Sequence, residues 1–263
     1  MAVRAVVGTA SAVQVQGETT RVHTVGRGGS LDGIITLRND QADAEWVRLY
    51  LTDHLNDART GSQFPEAGTL PRSAALWVDL MQTEVLLQPG ETRNVFYRVA
   101  VPDSPEARGT YWCSVMVEPQ AAQEIPISAA EPEERTFVLT LRHVIRYQIA
   151  VIINVGTSGD KSLAFAEPTL ETAVDGSTSF QIFIENTGER WLNPETWLEV
   201  YDDLGQLVGR AQAPRGRILP GAAGLRRFDL TGIDSGEYQA LLLVDDGEDA
   251  VFGTMFSLHL TSE

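Results

Sequence analysis

The sequence predicts an all-β protein built as two tandem β-sandwiches, and three observations carry that reading. Apolar and polar residues alternate with period 2 along most of the 263-residue chain, the spacing that sends successive side chains to opposite faces of a sheet. Turn-forming groups such as Pro89-Gly90, Asn186-Thr-Gly188, Pro220-Gly221 and Asp246-Gly247 punctuate the alternating runs. The third observation is an internal repeat. Ile35-x-Leu37-x-Asn39, Trp46-Val-Arg-Leu-Tyr50, Leu87-x-Pro89-Gly90 and Gly109-Thr-Tyr111 recur in the same order as Ile182-x-Ile184-x-Asn186, Trp197-Leu-Glu-Val-Tyr201, Leu219-Pro220-Gly221 and Gly236-Glu-Tyr238.

A chain of this length suits two domains better than one core. The repeat places them at residues 1–156 and 162–263, joined by a Gly-Ser-rich stretch around 156–161. Strands are expected at residues 12–16, 31–38, 46–51, 83–87, 94–101, 110–118 and 137–155 of the first domain. In the second they fall at 179–185, 197–202, 225–230, 238–244 and 251–260. One short stretch, 71–81, has helix-compatible residues and reads as an excursion between strands.

Asp234-Ser-Gly236-Glu-Tyr238-x-Ala240 matches the tyrosine corner of immunoglobulin-like sandwiches, in which a Tyr hydroxyl bonds to backbone upstream, and Gly109-Thr-Tyr111-x-Cys113 is its first-domain version. Both domains are therefore expected to be immunoglobulin-like. Cys113 is the sole cysteine, so it can form neither an internal disulfide nor a Cys-based zinc site. Its register points it inward with Tyr111 and Val115, while Trp112 and Ser114 face out. Trp46 and Trp197 read as core anchors.

The run from Phe137 to Val155 is unusual. Nineteen residues would extend roughly 60 Å at about 3.3 Å each, against roughly 17–20 Å for a common strand. It must bend, break in two, or run on towards the second domain. As an edge strand it would be a template for strand addition, and Arg142, Val144, Arg146 and Gln148 are the candidate partner-binding residues. As two core strands joined by a bulge it would be structural, and the residues favour neither reading.

A net charge of -16 speaks against nucleic-acid binding, which needs clustered Lys and Arg, and disfavours anionic lipid. No apolar run reaches the roughly 20 residues of a membrane-spanning helix. Only Lys161 among the basic residues is a lysine; the rest are arginines. No metal site or cofactor is expected, because His23, His54, His143 and His259 are scattered without ligand spacing. Asp245-Asp-Gly-Glu-Asp249 reads as a hairpin turn with solvated charges rather than a weak calcium loop, since it lacks that loop's one-three-five spacing. Asp202-Asp203-x-Gly205 is a hairpin tip and Gly26-Arg-Gly-Gly29 a flexible turn. Glu131 to Glu134, after Ile125-Pro126, reads as an exposed connection and contact loop. No nucleophile, triad or phosphate cradle is found, so an enzyme is not expected.

Four runs in the first half carry a family resemblance: Leu87-Gln-Pro89-Gly90-Glu-Thr-Arg-Asn-Val95, Val99 to Pro102, Arg108-Gly-Thr-Tyr111-Trp112 and Val115 to Pro119. They resemble the first domain of periplasmic pilus chaperones, and are also similar to cell-surface proteins of Gram-positive bacteria that interact with WxL-domain proteins. The resemblance implies two immunoglobulin-like, pilus-chaperone-like sandwiches working outside the cytoplasm. Pilus chaperones carry a basic pair for a pilin carboxylate and a Tyr-Arg-Pro ending to the last strand of domain one. Here that strand ends Ile152-Ile153-Asn154-Val155, and neither Arg146 nor Arg4 matches the basic pair's motif.

The expected function is that of a non-enzymatic, extracytoplasmic binding or assembly protein of the bacterial envelope, with a pilin-like or surface protein as partner. It would act through sheet edges or an inter-domain groove. The alternative is a permanent structural subunit of a surface layer or fibre. Ala10-Ser11-Ala12 has the look of a leader cleavage site without an adequate apolar stretch before it, so Met1 is expected to stand where a leader was removed.

Overall fold

The computed structural model describes residues 4–7, 13–120, 138–141, 145–174 and 176–261. The chain forms two compact units, one of Met1–His54, Phe64–Ala107 and Tyr111–Gly156, the other of Leu55–Gln63, Arg108–Thr110 and Thr157–Glu263. Among the described residues the regular structure is all strand except for a single turn of 3-10 helix at Ala75–Trp77.

In chain order the first strands are β1 (Arg4–Val7), β2 (Val13–Gln16), β3 (Thr20–Val25), β4 (Ser30–Asn39) and β5 (Glu45–Thr52). A hairpin follows, β6 (Leu55–Asp57) and β7 (Gly61–Gln63), which belongs to the second unit. The first unit continues with β8 (Val78–Leu80), β9 (Glu84–Leu87), β10 (Thr92–Ala100), β11 (Gly109–Gln120), β12 (Val138–Leu141) and β13 (Tyr147–Val155). The second has β14 (Leu163–Thr172), β15 (Thr178–Asn186), β16 (Glu195–Tyr201), β17 (Leu207–Ala213), β18 (Ala223–Asp229), β19 (Gly236–Asp245) and β20 (Val251–Leu260).

The first sandwich packs a four-stranded sheet, β2-β4-β10-β8, on a five-stranded one, β3-β13-β11-β5-β9. β2 and β3 are adjacent in sequence yet join opposite sheets, and the crossing uses Gly17 at φ 82, a left-handed conformation that costs glycine little. Alternation sets the interior. Ile35, Leu37, Val95, Tyr97 and Val99 from one sheet meet Val47, Leu49, Cys113, Val115, Ile149, Val151 and Ile153 from the other, all at 1% exposure or less. The Tyr97 ring lies over Gly33, its cross-strand partner, where any Cβ would overlap it. Its hydroxyl is 2.7 Å from His23 Nε2. Burial, then the nearby Arg21, hold the His23 pKa below its ordinary value, and burial pushes Tyr97 up to about 12.

The second sandwich sets β14-β15-β18 against β17-β16-β19-β20 around Phe180, Ile182, Ile184, Leu198, Val200, Phe228, Ala240 and Leu242. Both sandwiches are closed by the same fittings. Asn39 and Asn186 are buried at the ends of β4 and β15, and each side-chain amide donates to two backbone carbonyls: Asp43 and Leu87 in one, Arg190 and Ile218 in the other. Each carbonyl oxygen accepts the N–H two residues on, from Gln41 or Gly188. Both tyrosine corners form, with Tyr111 donating to Glu106 O at 3.2 Å and Tyr238 to Asp234 O at 3.0 Å.

Several expectations are corrected. Residues 137–155 do not make one edge strand: β12 and β13 are separate, and β13 lies between β3 and β11 with both of its edges paired. Its two faces explain this, because Ile152 and Asn154 are buried along with Ile149, Val151 and Ile153. Cys113 is fully buried as expected, but Trp112 and Ser114 on the opposite face are buried too. Trp46 and Trp197 are not core anchors. Val47 and Leu49 take the inward positions of β5, so Trp46 must point outward, where it is 51% exposed; Leu198 and Val200 do the same to half-buried Trp197. β3, β14 and β17 went unforeseen, because their polar residues and, in β14, Pro168 blur the alternation.

Candidate partner-binding site

Two short strands stand apart from both sheets of the first sandwich. β1 pairs only with β12, in parallel, Arg4 opposite Val138 through Val7 opposite Leu141. No other described strand pairs with either, so among the described residues each has one edge of backbone N–H and C=O groups without a strand partner. A four-residue parallel pair is among the weakest sheet elements, since parallel pairing is less stable per residue and a two-stranded sheet is marginal alone. A third strand would complete it.

The chain between β12 and β13 holds the sequence-derived candidates. Arg142 and Val144, like the Glu131–Glu134 loop, lie outside the described residues. Arg146 and Gln148 are brought to the outer face of the five-stranded sheet, but into separate clusters. Arg146 pairs with Glu118 at 2.5 Å. Glu118 also accepts from the Tyr50 hydroxyl, and Arg48 lies 5.1 Å over the Tyr50 ring. Burial and this hydrogen bond to a carboxylate hold the Tyr50 pKa above its ordinary value.

Gln148 instead donates to Ser114 Oγ at 2.8 Å and reaches His54 Nδ1 at 2.9 Å. Its neighbourhood is roofed by the long connection after β5. The His54 carbonyl accepts from Trp112 Nε1 at 2.6 Å, and its ring stacks on Phe64 at 5.0 Å. The fully buried Asp53 carboxylate anchors this roof by accepting the N–H groups of Gly68, Thr69 and Leu70 and the Ser73 hydroxyl. Sequence inspection missed Asp53 and β1; only the Asp-x-x-Asn polarity of 53–56 and the short apolar run 5–7 hinted at them.

Elsewhere, Ile34, Met81 and Phe96 are about half exposed on the outer face of the four-stranded sheet, beside a bidentate Arg98–Asp32 pair. In the second unit Asp246, Glu248 and Asp249 converge, the arrangement a cation would need, and Lys161 Nζ sits among them at 2.5, 2.8 and 2.5 Å. The sole lysine is thus the counter-ion of the acidic turn, in which Asp246 is buried against it while Glu248 and Asp249 stay exposed to solvent.

No family model matches the chain, and no curated protein does. Among solved structures, the class 5 fimbriae chaperone CfaA is 9% identical and aligns over 94% of this chain and 98% of its own, with a TM-score of 0.50. A chain from a chaperone–tip adhesin complex of CFA/I fimbriae biogenesis is 10% identical over the same shares, at 0.49. A chain from the Salmonella enterica SafA pilin–SafB chaperone complex is 14% identical, covering 95% and 99%, at 0.47. The protein thus has the two-domain immunoglobulin-like fold of the fimbrial chaperones.

Proposed function

We propose that this protein is a non-enzymatic, extracytoplasmic binding or assembly protein of the bacterial envelope, chaperone-like in action, that takes up an extended segment of a pilin-like or surface protein. One observation carries the reading: β1 and β12 form a two-stranded parallel sheet with no further strand partner among the described residues, on a scaffold whose fold is that of a fimbrial chaperone. Main-chain groups at such an edge supply affinity to an added strand, while alternate side chains supply specificity. β13 is excluded as the template because both of its edges are already paired. Arg142, Val144, Arg146 and Gln148, the residues between and beside the two strands in sequence, remain the proposed contacts, and Arg146 keeps N–H donors beyond its bond to Glu118.

The test begins with a photo-crosslinker at Thr140, used to identify the partner in native envelope. Hydrogen exchange on the purified complex should then show new protection at residues 4–7 and 138–141. Leu139→Pro, which removes a ladder donor, should abolish capture while leaving the core amides of β11 protected. Protection confined to other strands, or undiminished capture by Leu139→Pro, would overturn the reading. A complex that never exchanges its partner would favour the permanent structural subunit.

A further inference from the structure

β18 is the last strand of the sheet β14-β15-β18, and its outer edge is occupied by side chains and by the hairpin β6–β7. Backbone groups of alternate residues point the same way along an antiparallel edge. Ala223 points outward: its N–H donates to Asp57 Oδ2 at 2.8 Å and its carbonyl accepts from Ala58 N at 2.9 Å. The hairpin thus imitates a single rung of strand pairing, with a carboxylate in place of one carbonyl. Arg59 fastens it, bonding Glu185 at 2.6 Å and Glu167 at 3.0 Å while lying 4.3 Å over the Phe183 ring. Glu167 is held at φ 54, a conformation that non-glycine residues seldom adopt, immediately before Pro168. Backbone cost is accepted there to place one end of the clasp.

Arg226 is a second oddity of the same strand. It projects into the apolar interior beside Ile182 and Phe228, only 6% exposed, with no carboxylate partner among the described residues. Its guanidinium donates to Gly216 O at 2.7 Å and to the outward carbonyl of Leu225 at 3.2 Å, and its Nε has no partner. Inward-pointing charges and covering loops are two of the devices by which exposed edges are kept from pairing.

We infer that the edge of β18 is a concealed self-pairing surface, masked by the hairpin Leu55–Gln63 and by Arg226, and that its occupant when uncovered is β18 of a second copy. The same edge exists in every copy, and antiparallel pairing about a two-fold axis is self-complementary. Centred on Arg226, that pairing sets Ala223 opposite Asp229 and Leu225 opposite Arg227, so no like charges on the outer face oppose one another. It also brings the two Arg226 side chains together at the axis, which is how this residue resists the pairing that the hairpin blocks sterically.

The experiment replaces residues 56–62 with Asn-Gly, a two-residue turn suited to the adjacent ends of the hairpin. Sedimentation over a concentration series should show the trimmed chain associating at least tenfold more tightly than the native one. The amides of Leu225 and Arg227 should gain exchange protection as concentration rises. Adding Arg226→Met should tighten association by about a further tenfold. If the trimmed chain fails to fold, Asp57→Ala/Arg59→Ala in the full chain gives the same readouts. A folded variant that sediments like the native chain, or a dimer whose protection maps away from β18, would overturn the inference.

Discussion

The two sandwiches share their interior fittings and differ in how the outer face of the central strand is treated. Each buries an asparagine that ties its own turn to a returning strand, and each ends in a tyrosine corner. Fifty residues separate Asn39 from Pro89, but only thirty-four separate Asn186 from Pro220. In the first sandwich the additional chain folds back as the roof anchored by Asp53, and Trp112, Ser114 and Met116 on the outer face of β11 are buried beneath it or beside it. The corresponding face of β19 has Glu237 and Gln239 exposed and Leu241 and Leu243 partly so. The comparison teaches that closure of the core was retained in both copies, while the outer surface was remodelled by inserted chain.

The largest effect should come from removing what is peculiar to the first sandwich. Asp53→Ala strands three backbone N–H groups that now share a buried carboxylate, and should cost about 3 kcal/mol of local stability, read as faster hydrogen exchange at Gly68, Thr69 and Leu70. Only the roof should loosen. Cys113, whose thiol is pushed up to about 12 by burial and then by the charge of Asp53, faces the opposite side and should still react slowly with a thiol reagent. Rapid labelling would mean that the roof is part of the sandwich's own stability.

Next come the shared asparagines. Asn39→Ala and Asn186→Ala should each cost about 2 kcal/mol, because each leaves two carbonyls without their donor. Markedly unequal losses in chemical denaturation would break the equivalence of the two copies. A smaller penalty, about 0.5–1.5 kcal/mol, is expected for Tyr111→Phe and for Tyr238→Phe. Unchanged midpoints in both would deprive the corners of any energetic role.

The smallest effect sharpens the contrast from the other side, since the acidic turn with its internal lysine belongs to the second sandwich. Burial opposes the charge on Lys161, but hydrogen bonds to Asp246, Asp249 and Glu248 outweigh it and hold its pKa well above 10.5. Burial likewise opposes ionisation of Asp246, yet Lys161 and the N–H groups of Glu248 and Ala250 keep its pKa below 3.8. The lysine's contribution is therefore complete below pH 10.5 and fades as pH rises through its folded value. The aspartate's is complete above 3.8 and fades as pH falls through its own. Lys161→Met should flatten the acid and alkaline shoulders of the second unit's stability profile, leaving the first unit's unchanged.

Much of this was legible in the residues. Alternation in β4, β10, β15 and β19 identified their inward faces, because one hydrophobic set can be buried in only one register. The tyrosine corners and the paired asparagines were visible as spacing. For Trp46 and Trp197 parity outweighs size, because Val47, Leu49, Leu198 and Val200 already claim the interior. The alternation of 137–155 passes through residues 142–146 without a turn signal, so the sequence leaves open whether the run is one strand or two.

What the sequence determined by itself is therefore local: period, turn chemistry, the repeat, and which face of each strand is apolar. These follow from the geometry of one or two neighbouring residues. Tertiary structure alone decided that β13 lies between β3 and β11 while β12 pairs with β1, that the hairpin after Asp53 belongs with the second unit, and that Lys161 answers an acidic turn more than eighty residues away. An edge is defined by the absence of a neighbour, and an ion pair by the presence of one. Neither is a property of the strand or the side chain that carries it, so no period in the sequence encodes them.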